Sequence, residues 1–80
     1  MKREEIMNGL KSIMKILRPE ADIGQINEDT RLIEDLGMDS LFMLMMAMQS
    51  EKVFGIHFDS MESSSLETVG DVCRYIEKKL

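Results

Sequence analysis

The sequence predicts an all-α fold: a small helical bundle of three main helices plus one short irregular helix, with a long loop between helix I and helix II. Three observations carry this. Apolar residues recur at steps of three and four in separate segments, the spacing that lines one face of an α-helix. No segment alternates apolar and polar residues over the length of a strand. Pro19, Gly55 and Thr68 stand where those periodic segments end or begin, as proline, glycine and threonine do at helix boundaries. The 80 residues suffice for one small domain, 1–80.

Helix I is expected over Arg3–Leu17, where Ile6, Leu10, Ile13 and Leu17 share a face widened by Met7 and Met14. Arg18-Pro19 ends it, because the residue before proline is pushed out of the α region. Residues 18–38 form the long loop. Its apolar residues Ile23, Ile26, Leu32, Ile33, Leu36 and Met38 are expected to pin it across the helices. Thr30 is expected to start a short turn with Ile33 and Leu36 facing inward. A loop anchored in this way presents a residue at its end without flapping.

Helix II is expected over 40–53, with Asp39 as N-cap and Phe54-Gly55 as its close. Residues 56–59 read as extended or turn-like. Residues 60–66 leave room for one short, irregular helical turn, because three consecutive serines compete for backbone hydrogen bonds. The last helix is expected over Val69–Lys79, capped by Thr68 with Asp71 completing a capping box. Val69, Val72, Cys73, Ile76 and Leu80 form its apolar stripe, and Lys78 and Lys79 complement the dipole at its end.

Charge and composition remove several function classes. Fifteen acids stand against ten bases, a net charge of −5, which argues against nucleic acid because a phosphate-binding face needs clustered Lys and Arg. No apolar stretch reaches the ~18–20 residues that span a bilayer, and the N-terminus lacks the pattern of a signal peptide. Cys73 is the one cysteine; it cannot form an internal disulfide, and it points to a reducing, cytoplasmic setting and to an inert buried thiol. Metal binding finds no support: one Cys and one His cannot fill a zinc site, the acids lack calcium-loop spacing, and helical core methionines are commoner than copper ligands. Nucleophilic catalysis by Ser40 lacks a base in reach, since His57 is the only histidine. The chain is therefore read as a non-enzyme.

The segment Asp35-Leu36-Gly37-Met38-Asp39-Ser40-Leu41 resembles the prosthetic-group site of acyl carrier proteins. The preceding Leu32-Ile33-Glu34, the exit Phe54-Gly55-Ile56-His57-Phe58, and Leu66-Glu67-Thr68-Val69-Gly70-Asp71-Val72 with Tyr75-Ile76 extend the resemblance over most of the chain in the right order. A helix start suits a phosphate ester, because its backbone N–H groups are unpaired and its dipole favours negative charge. The resemblance implies 4'-phosphopantetheine esterified to Ser40, with Asp39 and Leu41 as flanking cofactor-binding residues and Asp39 helping the transferase engage. It implies a phosphopantetheinyl transferase, acyl-transfer or condensing enzymes and an acyl chain as partners of a monomeric carrier. Starting at Met1 and ending with its last helix, the chain is expected to be free-standing.

Helix II departs from the family pattern. Fatty-acid carriers display acids just after the serine, whereas here the first charge after Ser40 is Glu51. Met43, Met46, Ala47, Ser50 and Phe54 form an inward face. Leu41, Met45 and Met48 form a second stripe with Phe42 at its edge. Two readings of that stripe stand: cover by the long loop and the minor helix, or an exposed apolar face for a partner. Under the second, Leu41, Phe42, Met45 and Met48 are partner-binding residues of a carrier specialised for a fatty-acid, lipid or lipopolysaccharide pathway. The alternatives are a carrier for a polyketide or nonribosomal peptide system and a non-carrier helical interaction module.

Overall fold

The computed structural model describes residues 2–20, 22–59 and 65–80. Its three main helices are α1 (Arg3–Leu17), α2 (Ser40–Phe54) and α3 (Val69–Lys79), with a single 3-10 turn at Ile23–Gln25 inside the long loop. Among the described residues there is no strand, only an isolated bridge between Arg31 and Thr68. Residues 60–64 of the expected minor helix lie outside the described residues.

The caps explain the boundaries. Arg18, preceding Pro19, leaves the helix at φ −137° while its N–H still donates to the Met14 carbonyl. Asp39 accepts from the Phe42 N–H at 2.8 Å and opens α2. Gly55 closes α2 with φ +67° as expected, and the last helical residue is Phe54, one beyond the expected end at 53. Thr68 accepts from the Asp71 N–H at 3.1 Å while Asp71 accepts from the Thr68 N–H at 3.1 Å, the expected capping box. The hydrogen bonds that Asp71 accepts from the Glu67 and Thr68 amides lower its pKa.

Ile6, Leu10, Ile13 and Met14 of α1 meet Met46 and Phe54 of α2 and Val69, Val72, Cys73 and Ile76 of α3 in one core. The long loop joins that core through Ile26, Leu32 and Met38, all buried. It is also stapled to the start of α3. The Leu32 N–H donates to the Glu67 carbonyl, the Val69 N–H to Thr30 and the Gly70 N–H to Glu28, each at 2.9 Å. Two of these bonds satisfy amides that a helix N-terminus leaves without intrahelical acceptors. Gly70 is required there: a Cβ would sit 2.8 Å from the Glu28 carbonyl oxygen. Arg3 adds a surface tie by pairing with both Glu28 and Glu77.

Three expectations are corrected. Ile33 points outward and is exposed; Leu32, one position earlier, takes the buried place. The turn begins at Arg31 rather than Thr30, with the Asp35 and Leu36 amides both donating to the Arg31 carbonyl. The Asp35 side chain in turn accepts from the Arg31 N–H at 2.7 Å, which sets where the turn closes. Leu80 lies past the end of α3 and is exposed, so the buried stripe ends at Ile76. Tyr75, outside the expected stripe, is buried: its ring stacks on Phe58 at 4.7 Å and its hydroxyl accepts from the Asp59 N–H at 2.8 Å.

Candidate functional site

The segment before α2 is held from both sides. Leu32 and Met38 are buried, and the Met38 N–H donates to the Leu32 carbonyl at 3.1 Å. Between them Gly37 turns the chain with φ +65°, a conformation that glycine adopts without steric cost. Asp39 follows as cap and Ser40 is the first residue of α2. The loop therefore delivers Ser40 at a fixed place, with its side chain exposed.

Among the described residues the Ser40 hydroxyl has no side-chain hydrogen bond. The Phe42 N–H is taken by the Asp39 carboxylate and the Met43 N–H by the Asp39 carbonyl, so the Ser40 and Leu41 amides are the ones left facing outward at the helix start. An exposed, uncommitted hydroxyl beside free amides fits a covalent phosphate ester. Asp35 and Glu34 are occupied by Arg31, which lowers the Asp35 pKa through its guanidinium and backbone hydrogen bonds. They form no acid pair for catalysis.

The second stripe of α2 is open. Leu41 is 63% exposed, Leu44 57%, Met45 37% and Met48 51%. The long loop thus leaves these side chains open, while residues 60–64 of the expected minor helix lie outside the described residues. Phe42 differs from the other three expected partner-binding residues: it is half-buried and packs against the core. Leu44, outside the expected stripe, belongs to it. Its signal was legible, since 41, 44, 45 and 48 follow the helical period, but a helix apolar on every side hides which stripe faces out. The inward residues Met46, Ser50 and Phe54 are buried as expected, with Met43 and Ala47 partly so.

His57 is far from any nucleophilic role. It is exposed, with Nδ1 3.1 Å from the Glu51 carboxylate, which also accepts from the Phe58 N–H at 2.8 Å. Cys73 is fully buried, and desolvation pushes its thiol up to about 11, consistent with an inert sulfur. No group of His, Cys, Asp or Glu among the described residues is arranged to hold a metal ion, and no helix there is long and apolar enough to cross a membrane.

Comparison with known proteins agrees with this geometry. A family model described as phosphopantetheine attachment site matches residues 4–76. An acyl carrier protein of Thermotoga maritima is 42% identical over 78 residues, 98% of this chain and 95% of that protein. One from Coprothermobacter proteolyticus is 36% identical over all of this chain and 96% of its own length. A meromycolate extension acyl carrier protein of Mycolicibacterium smegmatis is 33% identical over 95% of this chain and 76% of its own. The chain belongs to the acyl carrier protein family, as a carrier rather than an enzyme, with covalently attached 4'-phosphopantetheine as its prosthetic group.

Proposed function

We propose that Ser40 is the attachment residue and that α2 presents the loaded arm to partners through its apolar outer stripe. The observation that carries this is the exposed, unbonded hydroxyl at the first position of a capped helix. In loading, a phosphopantetheinyl transferase brings coenzyme A to Ser40. The serine oxygen bonds to the phosphorus that bears the pantetheine, the pyrophosphate bond of coenzyme A breaks, adenosine bisphosphate leaves, and the hydroxyl proton passes to a base of the transferase or to water. Asp39 keeps α2 wound at the point of attack, and the buried Met38 keeps the loop from drifting. The bound arm supplies a thiol that holds acyl groups as thioesters, activated for transfer and condensation.

Leu41, Met45 and Met48, joined by Leu44 and bordered by Phe42, make a surface with no charge between Ser40 and Glu51. That supports acyl-transfer or condensing enzymes whose docking surface is apolar, in a specialised fatty-acid, lipid or lipopolysaccharide pathway. The single buried thiol supports a reducing, cytoplasmic setting for a monomeric carrier, one domain over 1–80. The test is intact mass after incubation with coenzyme A and a broad-specificity phosphopantetheinyl transferase. A gain of one phosphopantetheine that Ser40→Ala abolishes, with helix content retained, is the expected result. A gain that survives in Ser40→Ala would move the attachment elsewhere.

A further inference from the structure

Arg18 stands apart from the other arginines. Arg3, Arg31 and Arg74 each have a carboxylate within 3.0 Å. For Arg18 the one ion pair among the described residues is Nε to Glu20 at 4.0 Å, at the edge of contact. Its Nη2 points at the Gly37 carbonyl from 3.5 Å, too long for a strong hydrogen bond. The guanidinium nevertheless has a definite place. Its carbon lies 5.5 Å from the Phe42 ring centroid, a cation–π distance. Its two terminal nitrogens lie 3.7 and 3.8 Å from where a Cβ on Gly37 would stand.

Gly37 and Phe42 bracket Ser40, three residues before it and two after. A guanidinium against both flanks lies alongside the start of α2. The Arg18-Pro19 pair sets this up: proline forces Arg18 out of α1, and the Lys15 ammonium ties the following Pro19 carbonyl at 2.8 Å. Phe42 then holds the cation without using its N–H donors. A planar fork of donors suits phosphate oxygens.

Resting on the reading of Ser40 as the attachment residue, we propose that Arg18 is a phosphate-positioning residue, whose guanidinium, held against Phe42, donates to the phosphodiester of the arm. The arm's first segment is then confined near the α2 N-terminus, where the Ser40 and Leu41 amides face the same anion. Arg18 takes no part in breaking or forming bonds.

The experiment is NMR on the loaded full-length protein, with loading verified by intact mass. In the wild type, the Arg18 Nε–H resonance shifts on loading. In Arg18→Gln and in Phe42→Leu, the phosphorus resonance moves toward that of the loaded protein unfolded in denaturant, where the same phosphodiester has no folded partner, and Arg18→Lys restores part of the difference. The amide spectrum of each variant verifies the fold. A wild-type phosphorus resonance unchanged in Arg18→Gln, or an Arg18 Nε–H that ignores loading, overturns the proposal while leaving Ser40 as the attachment residue. Absence of any mass gain removes both. If Arg18 instead serves a carboxylate on a partner, loading leaves the Arg18 Nε–H where it was and Arg18→Gln leaves the phosphorus resonance unchanged, and the proposal fails.

Discussion

Helices α2 and α3 spend their apolar residues differently. In α3 the side chains of Val69, Val72, Cys73 and Ile76 have no exposure, and Arg74, Glu77, Lys78 and Lys79 face water. In α2 the inward stripe of Met46, Ser50 and Phe54 is backed by an outward stripe of Leu41, Leu44, Met45 and Met48. Burying an aliphatic side chain of this size contributes about 1.5–3 kcal/mol. Helix α3 uses that energy for folding, whereas the outer stripe of α2 leaves much of it unused by the fold, and under the proposed function it goes to association. The lesson is that an apolar residue on α2 is no indication of a core position, while on α3 it is.

The comparison breaks most easily at Ile76. Ile76→Ala removes fully buried carbons and is expected to destabilise the fold by about 2–5 kcal/mol. Leu44→Ala, the same kind of truncation on the outer face of α2, is expected to stay within about 0.5 kcal/mol. Denaturant melts of the two variants read the difference directly, and equal losses would mean that the outer stripe is packed after all. Next comes function: Leu41→Asp with Met45→Asp should slow phosphopantetheine loading by the transferase about tenfold, roughly 1.4 kcal/mol, at unchanged helix content. Loading by the native chain should depend weakly on salt, since α2 offers no charge to screen before Glu51. A steep salt dependence would relocate the contact to the acidic loop.

Smaller effects sharpen the account of α3. Gly70→Ala gains about 1 kcal/mol of helix propensity but drives a methyl group into the Glu28 carbonyl, which also accepts the Gly70 N–H. Overpacking of this kind costs about 1–3 kcal/mol, so a modest net loss in thermal stability is expected, with the loop loosened from α3. Cys73 tests burial by pH. Its folded pKa, about 11, lies above the ~8.5 of a free thiol, so its contribution is complete below about pH 8.5 and is lost as pH rises toward the folded value. The denaturation midpoint should therefore fall on the alkaline side in the native chain and fall less in Cys73→Ala. A thiol reagent at neutral pH should label the unfolded protein only.

Much of the fold was legible because caps and periodicity are local. Asp39, Thr68 with Asp71, Pro19 and Gly55 mark the helix ends, and the structure moves only the end of α2, by one residue from the expected 53. The loop was legible in composition but not in register. Ile33 was expected inside because it is apolar, yet the turn closed by the Arg31–Asp35 hydrogen bonds gives the buried place to Leu32. Tyr75 was missed because the ring that covers it, Phe58, comes from a segment without regular structure. At the site, the position of Ser40 after Gly37, Met38 and Asp39 was readable, but Arg18 against Gly37 and Phe42 was not, because no local pattern joins residues so far apart.

By itself the sequence determined the all-α class, three helices with their termini and a serine at a helix start, since each depends on neighbours within one or two turns. The tertiary structure alone decided which stripe of the Met-rich helix stays open, which loop residues are buried, and that the end of α1 sets a cation against the start of α2. Those outcomes depend on how distant segments share a limited interior. An apolar side chain next to a second apolar stripe carries no mark of which one the rest of the chain will cover.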